Sequence, residues 1–221
     1  MAKFSKEQME VMIMSTRMVP LFTHPDFEIS KQVLDAAYRA GVRVFEYTNR
    51  GPNAYDVFKE LAVHVQQYPD MALGIGTILD VANTDKFLDA GAAFIVSPIM
   101  NPEMAEPCER AGVMWMPGCA TLTEMFNATN AGAEIVKLFP GSAFGPKFVS
   151  AVMPVIPTLK IMATGGVEPT AENLTAWFKS GVTCVGMGSQ LFPKELIQNK
   201  DWKELEEKIA NALAIIKSIT K

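Results

Sequence analysis

Two ionisable residues sit where ionisable residues rarely go. Lys137 lies in the middle of Glu134-Ile135-Val136-Lys137-Leu138-Phe139, an apolar run bounded by Gly132 and by Pro140-Gly141 that reads as a short buried strand. A lysine is almost never fully buried without compensation. Burial disfavours the ammonium, so the pKa falls and a free amine becomes available near neutral pH. A free amine on a rigid strand is the group that attacks a ketone. The alternative for Lys137 is an edge-strand lysine whose head reaches water. Glu46 stands in the same way inside Val42-Arg43-Val44-Phe45-Glu46-Tyr47-Thr48. Its alternative is a surface glutamate at a strand end.

These residues need a frame, and the chain repeats one. A helix over about 5–17, with Ser5 as N-cap and Met9, Val11, Met12 and Ile13 on its apolar side, precedes a strand at 18–22. Strands recur at 42–48, 71–77, 93–98, 113–118 and 134–139, then at 160–166 with its loop, and at 182–189. Helices are expected over about 27–40, 54–67, 84–90, 102–111, 146–153 and 202–219. Two more open at a Thr121–Glu124 capping box and at Thr170, ending near Gly132 and Gly181. Alternating β and α units imply a parallel sheet, and eight of them fit a closed (β/α)8 TIM barrel with an additional N-terminal helix, one domain over 1–221. An open doubly wound sheet is the alternative, because strand count does not prove closure.

A barrel gives position a meaning, since functional residues gather at the C-terminal ends of its strands. Arg50, Thr77, Ser97, Thr164 and Ser189 fall there, with Glu46 and Lys137 one or two pleats below. Alternation puts Val44, Glu46 and Thr48 on one face of their strand, and Ile135, Lys137 and Phe139 on one face of theirs. Gly74 and Gly76 leave room for another group to approach closely. Lys160 begins its strand at the opposite end and reads as a solvated charge. Thr164-Gly165-Gly166-Val167 and Gly186-Met187-Gly188-Ser189 follow the seventh and eighth strands, where such barrels often bind phosphate through backbone N–H groups.

Composition excludes several classes. Nearly half of the 221 residues are hydrophobic, enough for a sizeable core, and the net charge of -4 offers no general basic surface for nucleic acid. No apolar run is long enough to span a bilayer, and the first residues read as an amphipathic helix rather than a signal peptide. Cys108, Cys119 and Cys184 form no CxxC pair and read as free thiols of a reducing, cytoplasmic compartment. His24 and His64 have no metal-ligand spacing, so no metal site built on histidine is expected.

Taken together, Val44-Phe45-Glu46-Tyr47-Thr48-Asn49-Arg50, Gly74-Ile75-Gly76-Thr77, Phe94-Ile95-Val96-Ser97-Pro98, Met116-Pro117-Gly118, Val136-Lys137-Leu138-Phe139-Pro140-Gly141 and the two glycine loops resemble the 2-keto-3-deoxy-6-phosphogluconate (KDPG) aldolase family, which includes the 4-hydroxy-2-oxoglutarate (KHG) aldolases. The resemblance runs from about 18 to 192. It implies a class I aldolase on a homotrimeric barrel that acts on a small keto acid and needs neither metal nor cofactor. It implies Lys137 as the Schiff-base lysine and Glu46 as the general acid/base. Arg50, Thr77 and Thr164 match contacts to the pyruvate carboxylate, with Pro98 and Phe139 as further substrate-binding candidates. Gly165, Gly166, Gly188 and Ser189 match contacts to phosphate. Three positions depart from the family pattern. Leu21-Phe22-Thr23-His24 stands where many members carry an arginine, Ile99 stands where many have glycine, and Ala163 stands where proline is usual. The competing readings are another phosphate-binding barrel, an isomerase or synthase using the lysine as an acid, and a non-catalytic trimeric barrel.

Overall fold

Side-chain caps start half of the ten α-helices in the computed structural model, which describes residues 3–220. Ser5 and Gln8 form a capping box on α1 (Lys6–Thr16). The chain continues through β1 (Met18–Phe22), α2 (Phe27–Arg39), β2 (Val44–Thr48), α3 (Ala54–His64), β3 (Ala72–Gly76), α4 (Val81–Asp89), β4 (Phe94–Val96), α5 (Ala105–Ala111), β5 (Met114–Met116) and β6 (Gly118–Cys119). It finishes with α6 (Leu122–Asn130), β7 (Val136–Leu138), α7 (Gly141–Val152), β8 (Ile161–Thr164), α8 (Ala171–Lys179), β9 (Cys184–Met187), α9 (Lys194–Asn199) and α10 (Trp202–Ile219). Asp26, Asp80, Thr121 and Thr170 cap α2, α4, α6 and α8 through side-chain oxygens.

The strands are parallel, in the order β5-β4-β3-β2-β1-β9-β8-β7-β6. The two ends of that order, β5 and β6, are halves of one strand separated only by Pro117. Proline has no N–H to donate, which breaks the ladder at that residue. Its carbonyl still accepts from the Lys137 N–H at 2.8 Å. Met114–Met116 pairs with β4 and Gly118–Cys119 with β7, so the ring closes as an eight-stranded barrel and not as an open sheet.

Inside the barrel, Val19, Val44, Ala72, Phe94, Met114, Ile135, Met162 and Cys184 form the lower core, and Met9 and Ile13 of α1 plug it from below. Outward-facing residues such as Phe45, Tyr47, Ile95, Trp115 and Leu138 pack against the helices. Lys160 lies at this lower end, paired with Glu10 of α1. The fold differs from the sequence reading in local ways. Val11 is 68% exposed, off the buried side of α1. α4 begins at Val81 because Asp80 caps it. The helix expected from 146 is the second half of α7, which starts at Gly141 and is interrupted at Gly145 (φ 69°) before Pro146. α9 was not expected, being too short to show a period.

Candidate active site

Above the apolar floor the barrel interior turns polar, and its first polar layer holds Glu46 and Lys137. Register sets Glu46 between Leu21 of β1 and Gly74 of β3, and Lys137 between Gly118 of β6 and Met162 of β8. Glu46 is fully buried and Lys137 is 4% exposed. The Lys137 Nζ lies 4.0 Å from Glu46 Oε1 and 5.1 Å from the centre of the Phe139 ring. Neither carboxylate oxygen of Glu46 has a hydrogen-bond partner within the protein. Burial therefore holds the Glu46 carboxyl above the usual carboxylate range, against the opposing pull of Lys137 and Arg50. Burial likewise holds Lys137 below an ordinary lysine; Glu46 opposes the shift and Arg50 adds to it. The outcome is an amine and a carboxyl side by side, each biased toward its neutral form.

Glycine makes the room for this pair. A Cβ on Gly76 would fall 1.7 Å from Glu46 Oε1, so no other residue fits there without moving the carboxylate. A Cβ on Gly186, opposite Thr164, would fall 2.2 Å from the Thr164 hydroxyl oxygen. Gly74 similarly admits the Phe94 ring of the floor.

A cavity of about 370 Å³ opens over the lysine. Lys137, Phe139, Arg50 and Thr164 line it, together with Gly165, Gly166, Gly188 and Ser189 from the loops after β8 and β9. The structure thus brings eight of the eleven expected site residues to one cavity wall, with Glu46 directly behind Lys137. Thr77 reaches the group through Arg50, whose Nε–H donates to the Thr77 hydroxyl at 3.3 Å. Thr77 has φ 62°, a left-handed conformation that is costly for a β-branched residue, by about 1–3 kcal/mol. Pro98 lies outside the lining, its carbonyl packed over Gly118. Ser97 does not converge on the mouth either. It follows Val96 on the outer face of the barrel, where its hydroxyl accepts from Trp115 Nε1–H and contacts the Met104 sulfur.

Sequence reasoning missed part of this wall. Thr48 lines the cavity with an unpartnered hydroxyl, as does that of Thr164. Its two-residue spacing from Glu46 was the available signal. Leu21, Phe22, Thr23, Gln190, Phe192 and Lys194 complete the side between β9 and β1. A larger cavity of about 840 Å³ runs along α3, α4 and α5 near the starts of β3 and β4 and contains none of these residues. The candidate site is the smaller one, because the perturbed ionisable pair lies under it.

Comparison with known proteins gives a consistent answer. Residues 9–208 match the family model "KDPG and KHG aldolase". The chain is 41% identical over 130 residues to a 2-dehydro-3-deoxy-6-phosphogalactonate aldolase of Escherichia coli K12, covering 58% of this chain and 62% of that one. It is 30% identical over 197 residues to a 2-dehydro-3-deoxy-phosphogluconate aldolase of Pseudoalteromonas atlantica, covering 89% of each. Among solved structures, a KDPG aldolase from Legionella pneumophila, with pyruvate captured as a covalent carbinolamine, superimposes with a TM-score of 0.83, and a native KDPGal structure, 26% identical over 92% of this chain and 95% of that one, with a TM-score of 0.82. The Legionella structure is 25% identical and is matched over 92% of this chain and 97% of that one. With its barrel closed and the family model spanning nearly its whole length, the chain belongs to the KDPG and KHG aldolase family of class I aldolases.

Proposed function

We propose that the protein cleaves the C3–C4 bond of a 2-keto-4-hydroxy acid to pyruvate and an aldehyde, with Lys137 as the Schiff-base lysine and Glu46 as the proton carrier. The observation that carries this reading is the buried Lys137–Glu46 pair, 4.0 Å apart beneath a cavity. The Lys137 amine attacks C2, and the ketone oxygen leaves as water to give an iminium. Glu46 takes the C4 hydroxyl proton as the C3–C4 bond breaks. The electron pair flows into the iminium, giving an enamine, and the aldehyde departs. Glu46 returns its proton to C3, and water hydrolyses the imine to release pyruvate and the free amine. Burial raises the proton affinity of Glu46, so its carboxylate is a stronger base toward the C4 hydroxyl than an ordinary glutamate, and once protonated it is the acid that delivers the proton to C3. The covalent iminium is the electron sink, so the reaction as proposed calls on no metal or other cofactor.

Arg50, positioned by Thr77, takes the keto-acid carboxylate, with Thr164 beside it. Phe139 and Pro98 complete the proposed substrate contacts. Gly165, Gly166, Gly188 and Ser189 receive a terminal phosphate through backbone N–H groups and the serine hydroxyl. The substrate is 2-keto-3-deoxy-6-phosphogluconate, 4-hydroxy-2-oxoglutarate or both, giving glyceraldehyde 3-phosphate or glyoxylate beside pyruvate. The 41% identical 6-phosphogalactonate enzyme favours a second reading in which the C4 epimer is the phosphorylated substrate. One barrel unit over 1–221 carries the activity in a cytoplasmic homotrimer. Three buried free thiols accord with that compartment, and among the described residues no helix is long and apolar enough to cross a membrane. The test is pyruvate release from a panel of 4-hydroxy-2-oxoglutarate and the two C4-epimeric 6-phospho substrates. Release from at least one is expected; release from none would overturn the reading.

A further inference from the structure

The cavity over Lys137 has three cationic side chains in its wall and no carboxylate. Two of the three have work already: Lys137 as the amine and Arg50, tied to Thr77, for the keto-acid carboxylate. The third, Lys194, is the first residue of α9. It is exposed, and among the described residues no carboxylate pairs with it. An exposed lysine is ordinarily unremarkable, but this one is held against the glycine loop. The N–H groups of Leu191 and Phe192 donate to the Gly188 carbonyl at 2.9 and 3.2 Å. Leu191 and Phe192 are buried, and the Phe192 ring packs edge-on to Phe22 at 5.2 Å and Phe45 at 6.2 Å. The turn from Gly188 to Pro193 is thereby fixed, and the base of Lys194 with it.

The rest of that side of the cavity carries no charge. Leu21, Phe22 and Thr23 line it from the end of β1, and Gln190 is neutral. The glycine loops offer N–H dipoles but no full positive charge. A substrate with an anion at each end would therefore meet Arg50 at one end and Lys194 alone as a cation at the other.

We propose that Lys194 is a specificity-determining residue whose ammonium takes the terminal phosphate of a phosphorylated 2-keto-4-hydroxy acid above the Gly188–Ser189 loop. The proposal rests on the aldolase reading. A lysine acts here as a mobile point charge, which suits a phosphate whose oxygens are already oriented by backbone N–H groups. Because the head is in water, the interaction is screened by salt.

The experiment measures kcat and KM for pyruvate release from 2-keto-3-deoxy-6-phosphogluconate, its C4 epimer and their dephosphorylated counterparts. It compares wild type, Lys194→Gln and Lys194→Arg at low and high salt. Lys194→Gln should lose about 10- to 100-fold in kcat/KM on the preferred phosphorylated substrate, mostly through KM, and far less on its dephosphorylated counterpart. Its salt dependence should flatten, and Lys194→Arg should recover most of the loss. Equal losses on both substrates, or no loss, would overturn the role of Lys194. So would a wild type that cleaves 4-hydroxy-2-oxoglutarate but neither phosphorylated acid, an outcome that leaves the aldolase reading standing. A wild type that cleaves none of these and forms no borohydride-stable adduct with pyruvate would overturn both.

Discussion

At Glu46 the fold holds a carboxyl in a place that disfavours its charge, and the energetic consequence has a definite sign. Its folded pKa is raised by burial, so the stability linked to its neutral form is present below the ordinary carboxylate pKa of about 4.3 and is lost as pH rises through the raised value. Glu46→Gln keeps the shape, removes the titration and removes the base. Turnover should fall by about 10²–10⁴-fold while pyruvate still forms some imine at Lys137. The variant should also melt at or above the wild-type temperature, with a margin that widens as pH climbs out of the acidic range. Thermal unfolding against pH checks this, and a margin that shrinks with rising pH would contradict it. Residues such as Glu46 and Lys137 were legible in the sequence because a charge inside an apolar run violates the strand pattern. Thr48 carried one signal, its place on the same strand face as Glu46, whereas Lys194 violates nothing where it stands and gains meaning only because the fold brings it to the cavity wall. Ser97 misled for the opposite reason: its place at a strand end was right, but alternation turns it toward Trp115 and the outer face.

At the scale of elements, the β/α rhythm was readable because helix caps or terminating glycines mark five of the eight units, those of α2, α4, α5, α6 and α8. Short or interrupted pieces escaped. The break at Pro117 looks like one strand in sequence, and α9 has too few residues for a period. Two elements can be tested directly. α1 closes the lower end of the barrel with Met9 and Ile13, both fully buried. Ile13→Ala should cost about 2–5 kcal/mol in denaturant unfolding; a loss well under 1 kcal/mol would mean the plug is dispensable. In the loop after β9, the tightest contact of a Cβ on Gly188 would be the end of the Leu21 side chain, at 3.1 Å, which can give way, and the Leu21 carbonyl oxygen at 3.7 Å is an ordinary contact. Gly188→Val should therefore fold yet obstruct the backbone's approach to an anion. The expected loss is about one to two decades in kcat/KM on the phosphorylated substrate and much less on 4-hydroxy-2-oxoglutarate. Equal losses on both would mean that the loop only supports the fold.

The whole molecule divides its labour along the barrel axis. An apolar lower half supplies stability, and an upper half accepts unpartnered buried polar atoms, a strained Thr77 and the buried Lys137–Glu46 pair, each of which costs stability where function is expected. Closure was only an inference from strand count until β5 and β6 proved to be halves of one strand. The surface carries exposed Leu79, Ile99 and Phe126, on the loops and helices that follow β3, β4 and β6, as apolar area that association would cover. Light scattering should give three times the chain mass, and a monomer at micromolar concentration would contradict the trimer. The most direct test of the account is covalent. Wild-type protein incubated with pyruvate and borohydride should gain one reduced pyruvate adduct per chain, and peptide mapping should place it on Lys137. Lys137→Ala should stay folded and gain none. An adduct on another lysine, or full trapping in Lys137→Ala, would contradict the assignment of the amine on which the mechanism depends.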